Sequence, residues 1–180
     1  MEQIPHFIGG KPSYSGGDCT SPVFNPATGE QSACVPLADA QDVQNAIDAA
    51  KAAFPAWAST TPLRRARILN IFQRLDEENS DQFAGAITLD HGEVLSDARG
   101  EVQRGLEVIE FATAVPHLLK GKITGNLASG VDSHALRQRL GVVAGITPFD
   151  FPVMVPMWMF PVALAARTRL CICGKDHQPP

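Results

Sequence analysis

Few residues in this 180-residue chain have the types and spacing that chemistry requires. Four cysteines, at positions 19, 34, 171 and 173, are too few and too unevenly spaced for a secreted disulfide framework. Cys171-Ile172-Cys173 followed by His177 suggests half of a metal site. Its spacing is not C-x-x-C and a second ligand pair is missing, so no metal is expected. Arg64, Arg65, Arg67 and Arg74 could together hold a phosphate. With Asp76, Glu77 and Glu78 just behind them, the pattern instead predicts a solvated helix face. His91 and His117 fall near expected helix ends, where capping or exposure is the ordinary role, and His134 lies in a strand-like stretch with no partner. No chemistry is assigned to any of the three. More promising is Thr147-Pro148-Phe149-Asp150-Phe151-Pro152, which follows the glycine-bounded run Val142-Val143-Ala144-Gly145-Ile146. Open α/β sheets bind ligands beyond the carboxyl ends of their strands, so a site would be built on this loop.

The elements that must position such a loop can be read from periodicity and punctuation. Residues 1–38 predict β structure: Phe7-Ile8-Gly9-Gly10-Lys11 and Ser15-Gly16-Gly17-Asp18 have hairpin glycines, and Asn25-Pro26-Ala27-Thr28-Gly29-Glu30 is a turn between Val23-Phe24 and Ala33-Cys34-Val35. Asp39 can cap a helix with Val43, Ala46, Ile47, Ala50 and Phe54 on one face and Pro55 near its end. Thr61-Pro62 starts a second helix, with Leu63, Ile68, Leu69, Phe72 and Leu75 at helical spacing. A third begins near Asp81, and a long fourth runs from about Val94 to Val115, burying Val102, Leu106, Ile109 and Phe111 before Pro116 ends it. Leu140 to Ile146 reads as a strand buried on both faces of a parallel sheet, the one convincing core strand. The apolar stretch Met154 to Ala166 predicts a buried helix too short to cross a bilayer.

Composition narrows the classes. With 44% apolar residues, 19% charged and a net charge of −4, the chain fits an ordinary soluble domain or part of one. It has no basic block, so nucleic acid is not an expected partner, and neither is a membrane. Met1-Glu2-Gln3-Ile4-Pro5 lacks the pattern of a signal or transit segment, so a cytoplasmic chain is expected. Neither G-x-G-x-x-G nor G-x-x-x-x-G-K-[ST] occurs.

One set of segments carries a specific resemblance. Gly145-Ile146-Thr147-Pro148-Phe149-Asp150-Phe151-Pro152, then Met157-Trp158-Met159-Phe160-Pro161-Val162-Ala163-Leu164-Ala165, closely resembles the aldehyde dehydrogenase superfamily. His6 to Lys11, Asn25 to Glu30, Leu95 to Phe111 and Leu136-Arg137-Gln138 resemble its methylmalonate-semialdehyde branch. The resemblance runs from about His6 to Ala166. It implies an α/β fold, with residues 1–166 forming the N-terminal part of an NAD-binding domain: a hairpin, a helical layer and the first parallel core strand.

The implied reaction, a step of valine catabolism, is NAD-dependent oxidation of malonate or methylmalonate semialdehyde to an acyl-CoA. A cysteine thiolate attacks the aldehyde, hydride passes to the nicotinamide and coenzyme A resolves the thioester. Ile146, Thr147, Pro148 and Phe149 fall at cofactor-binding positions. Asp150 stands at the family's oxyanion-binding asparagine. An ionised carboxylate cannot donate a hydrogen bond, and losing such a donor costs roughly 10²–10³ in rate. Asp150 can also cap the next helix, and the two roles are compatible. Arg104 is expected at the substrate carboxylate, for which arginine is the best partner, or else in a helix-surface salt bridge with Glu101 or Glu107.

After Ala166 the likeness stops, and residues 167–180 are expected to be an aberrant tail. One back-translation of Arg167 to Cys171, shifted by a base, encodes Asn-Ala-Phe-Val, close to the family's continuation, which points to a frameshift. Lys175 is not placed on the family's cofactor lysine, because its neighbours do not match. None of the four cysteines matches the nucleophile's motif, and the arm that ties the family's homo-oligomers together is not expected in this chain. The expected reading is an N-terminal fragment inactive by itself. The alternative is a non-enzymatic binding or subunit-association module.

Overall fold

In a computed structural model, residues 2–14 and 19–166 are described, together with the backbone of 169–174. The hairpin glycines expected at 15–18 lie outside the described residues, as do Lys175 and His177. The N-terminal part is β structure, as its turn residues predict. β1 (Glu2–Gln3) pairs in parallel with β5 (Gln31–Pro36), and β4 (Thr20–Phe24) pairs antiparallel with β5 across the Asn25–Glu30 turn. β2 (His6–Ile8) and β3 (Lys11–Ser13) form a hairpin whose turn places Gly9 and Gly10 at φ 62° and 82°. Side chains rarely adopt that left-handed region, so two glycines stand there.

The helical layer follows. α1 (Ala40–Ser59) opens on the expected cap: the Asp39 carboxylate accepts from Asp42 N–H at 2.8 Å, and the Asp42 carboxylate accepts from Asp39 N–H at 3.1 Å. Pro55 lies inside α1 rather than ending it, and Val43 is exposed. α2 (Pro62–Glu78) is capped by the Thr61 hydroxyl with proline at its first position. α3 (Ser80–His91) ends on Gly92 at φ 82°. α4 (Leu95–Thr113) is the central helix, packed against α2, α3 and α6 (Met154–Ala165). Ala84, Ile87, Ala98, Val102, Leu106, Ile109 and Met157 form the main core there.

Several expectations need correction. On α2 the buried side chains are Arg65, Ala66, Leu69 and Asp76, while Leu63, Ile68 and Leu75 are exposed. The arginine run is therefore a solvated face except at Arg65, which is fully buried. Phe111 is exposed, and α4 stops before Pro116, which lies in the first turn of α5 (Val115–Leu118). The weakly patterned stretch after Gly121 is an antiparallel ribbon of β6 (Lys122–Ala128) and β7 (Val131–Ala135), exposed along its length.

β8 (Val142–Thr147), α6 and β9 (Arg169–Gly174) complete a strand-helix-strand unit, with β9 parallel to β8 from Val142↔Arg169 to Thr147↔Gly174. Beyond Ala166, where an aberrant tail was expected, the backbone thus supplies a second parallel strand. β8 is only partly buried: Ala144 and Ile146 are exposed, and β9 is its sole partner among the described residues. No described helix is long and apolar enough to cross a membrane.

Candidate functional site

The loop singled out from sequence leaves the carboxyl end of β8, the edge where open parallel sheets build sites. Thr147 is buried beneath it, whereas Ile146, Pro148, Phe149 and Asp150 are exposed. The Phe149 ring lies 6.0 Å from that of His91, at the end of α3. The Asp150 carboxylate accepts from its neighbour Phe151 N–H at 3.0 Å, which bends the loop tightly. Asp150 does not cap the following helix, because α6 starts further along, at Met154.

That cap comes from elsewhere. Val153, at the N-cap position of α6, has no side chain able to accept. Glu101 of α4 supplies one oxygen instead, accepting from Val153 N–H at 2.7 Å and from Met154 N–H at 2.8 Å. Helix N-terminal amides need acceptors and favour negative charge, and this carboxylate meets both requirements. The far end of α6 is served in the same way. Trp57 Nε1–H of α1 donates to the Leu164 carbonyl at 3.0 Å, and Arg65 Nε–H of α2 donates to the Ala165 carbonyl at 2.9 Å. Arg65 Nη1 also donates to the Thr60 carbonyl. Distant side chains therefore clamp both ends of the helix that carries the loop.

Beside this clamp stands Glu93, whose carboxyl is held above the usual glutamate range by burial and then by Glu101; His91 opposes the rise and Asp97 adds to it. Sequence reasoning passed over Glu93, Glu101 and His91 as site residues. A signal existed for Glu101, which interrupts the apolar stripe of α4 between Ala98 and Val102.

Arg104 lies one turn after Glu101, exposed, and it forms no ion pair with Glu101 or Glu107 among the described residues. The salt-bridge alternative is thus absent. Ile146 to Asp150 form one contiguous edge. Cys34 sits in β5 with its thiol 3.6 Å from the Glu2 carbonyl, and Cys19 is exposed before β4; both are free. Among the described residues no group of His, Cys, Asp and Glu is arranged to hold a metal ion. Two surface concavities, of about 310 and 290 Å³, are lined by other residues.

A parallel strand-helix-strand unit with its loop at the strand's carboxyl end, set beside a helical layer and an N-terminal hairpin, defines an α/β class. The chain belongs to the aldehyde dehydrogenase family, whose model matches residues 14–172, running past Ala166. It is 44% identical over 179 residues to malonate-semialdehyde dehydrogenase of Pseudomonas aeruginosa, covering 99% of this chain and 36% of that protein. It superimposes with a TM-score of 0.94 on methylmalonate-semialdehyde dehydrogenase from Oceanimonas doudoroffii, at 44% identity, covering 98% of this chain and 36% of the other. A Sinorhizobium meliloti structure assigned to the same enzyme and complexed with NAD matches at 42% identity and TM-score 0.94, covering 97% and 36%. The chain thus spans about a third of the length of these relatives and matches the N-terminal part of their fold.

Proposed function

We propose that this chain is the N-terminal part of a dehydrogenase that oxidises malonate or methylmalonate semialdehyde to an acyl-CoA, and that alone it does not turn over. The observation that carries this reading is the 44% identity to a malonate-semialdehyde dehydrogenase across 99% of the chain. Two features of the site support it. Ile146 exposes 70% of its surface at the carboxyl end of β8, an apolar bed suited to one face of a dinucleotide, so the residues present fit NAD. Arg104 is a solvent-facing guanidinium without an ion-pair partner among the described residues, suited to a carboxylate substrate. NAD, when bound, supplies the hydride acceptor, and coenzyme A would be the acyl acceptor. Ile146, Thr147, Pro148 and Phe149 would hold the cofactor, Arg104 would orient the semialdehyde, and Asp150 would occupy the oxyanion position as an acceptor where a donor is required. Residues 1–166 would belong to the cofactor domain, and the compartment would be the cytoplasm.

The test joins residues 1–166 to the remainder of the Pseudomonas aeruginosa relative and follows NADH at 340 nm with malonate semialdehyde and coenzyme A. The D150N chimera is expected to turn over, the unmodified one roughly 10²–10³ more slowly, and R104M added to D150N to raise KM more than it lowers kcat. A folded D150N chimera without semialdehyde oxidation would overturn the reading, as would NADH formation by the isolated 180-residue chain above a no-protein control.

A second reading, a subunit-association module, is favoured by the ribbon of β6 and β7, exposed on both faces with Ile123 at 74% and Leu127 at 65%.

A further inference from the structure

The loop at 147–153 is anchored at one end in β8 and at the other in the first turn of α6. At the second end the local sequence supplies no cap, because Val153 has no side chain able to accept, and the first amides of α6 turn to α4 instead. There Glu101, 2% exposed, interrupts a buried stripe that is otherwise apolar. One of its oxygens accepts from Val153 N–H at 2.7 Å and from Met154 N–H at 2.8 Å, both bonds strengthened by its charge and by the positive end of α6. The other oxygen, Oε2, is buried and receives no donor, so for stability alone a carboxylate is a poor choice here. One turn further along both helices the contact repeats without polarity. Gly105 of α4 leaves room for Met157 of α6, whose Cβ and Cγ would lie 3.2 and 3.3 Å from an added Cβ. The two contacts together fix α6 along α4 as well as against it.

We propose that Glu101 is a positioning residue: it fixes the turn at 147–153 relative to α4, the helix that also carries Arg104, and so sets the span between the loop and that guanidinium. Residues three apart on a helix are surface neighbours, with Cβ atoms about 5–6 Å apart, so one turn of α4 places both the hold on the loop and Arg104. A semialdehyde whose two ends must reach the loop and Arg104 at once is selected by that span. A misplacement of about 1 Å costs up to about 10²-fold in rate. The hold on the loop stands on the two hydrogen bonds alone, whereas its consequence for substrate length rests on the function proposed above.

Two measurements separate these claims. The first is amide hydrogen exchange by NMR on the whole 180-residue chain, comparing Val153 and Met154 with amides in the later turns of α6, which bond within the helix. E101M keeps a side chain of similar length and removes the acceptor. It should lower protection at Val153 and Met154 about tenfold relative to the later turns, whereas a general loss of stability lowers all of them together. If E101M does not fold, E101Q takes its place, and its uncharged carbonyl should give a several-fold relative loss. Relative protection equal to that of the wild type in the variant so measured strikes the proposal. The second measurement uses the D150N chimera and follows NADH with malonate semialdehyde and with succinate semialdehyde, which is one carbon longer. The same substitution should lower kcat/KM for the shorter substrate roughly 10–10²-fold and narrow the preference for it several-fold. An equal loss on both substrates, or a parent chimera without a preference, removes the span from Glu101. A parent chimera that forms no NADH strikes the dehydrogenase reading and the span with it, and the hold on the loop then stands or falls by the exchange result.

Discussion

At the scale of single residues, the buried charges of α2 set the clearest pH dependence. Asp76 is 3% exposed, with Oδ2 lacking any donor, and burial raises its carboxyl from 3.8 to about 6. The folded chain therefore binds the Asp76 proton more tightly than the unfolded chain does. Stability is fully retained below about pH 4 and falls as pH rises through about 6, since the unfolded state then holds fewer protons. D76N removes the desolvated charge. Each tenfold difference in proton affinity between the folded and unfolded chain is worth about 1.4 kcal/mol, so the substitution should raise stability by about 2–3 kcal/mol at pH 8 and leave pH 4 nearly unchanged. Urea unfolding midpoints at the two pH values check this, and equal gains at both would exclude the titration. Arg65 teaches a complementary lesson. Its type and neighbours read as a charged surface, yet it donates to the Ala165 and Thr60 carbonyls from a fully buried position. Sequence spacing could not show this, because the acceptor lies 100 residues away on another helix.

At the scale of elements, local signals were legible where a single residue carried them. Asp39, Thr61 with Pro62, and the glycine pair of the first hairpin each mark a boundary that the structure keeps. The apolar stripes were less reliable. Leu63, Ile68, Leu75 and Phe111 obey helical spacing yet stay exposed, because periodicity selects a face without saying whether another element covers it. β9 was missed although Leu170-Cys171-Ile172-Cys173 is an apolar run like that of β8, because residues 167–180 were expected to be an aberrant tail and its pairing is set by the neighbouring strand. The α4–α6 crossing depends on one missing methyl group. A Cβ on Gly105 would press on Met157 Sδ and approach Met157 Cβ and Cγ at 3.2 and 3.3 Å, and Met157 is buried. Alanine is the better helix former by about 1 kcal/mol, but overpacking costs about 1–3 kcal/mol. G105A should therefore destabilise the chain, and M157A should tolerate it. A double-mutant cycle in urea measures the coupling, and additive effects would mean that the helices separate freely.

At the scale of the whole molecule, the candidate site was legible as a place but incomplete as machinery. The loop at 146–150 lies on a sheet edge as the sequence placed it, whereas its support from Glu101, Trp57 and Arg65 comes from three helices that no local motif connects. The ribbon of β6 and β7 leaves Ile123, Leu127 and Val131 exposed, and Leu136 and Leu140 just beyond it are 81% and 85% exposed. Apolar surface of this density on an uncovered ribbon with open edges favours association. Sedimentation velocity should show a species larger than 19.3 kDa that grows with concentration. I123K with L136K adds charge to both ends of the surface and should shift the distribution toward monomer, leaving the far-ultraviolet spectrum unchanged because neither side chain is buried. If the wild-type chain stays monomeric at high concentration, the ribbon is not an association surface and the subunit-association reading is lost. If it associates and the double variant does so equally, the contact lies instead on the uncovered apolar positions of α2 and α6, such as Ile71 and Trp158.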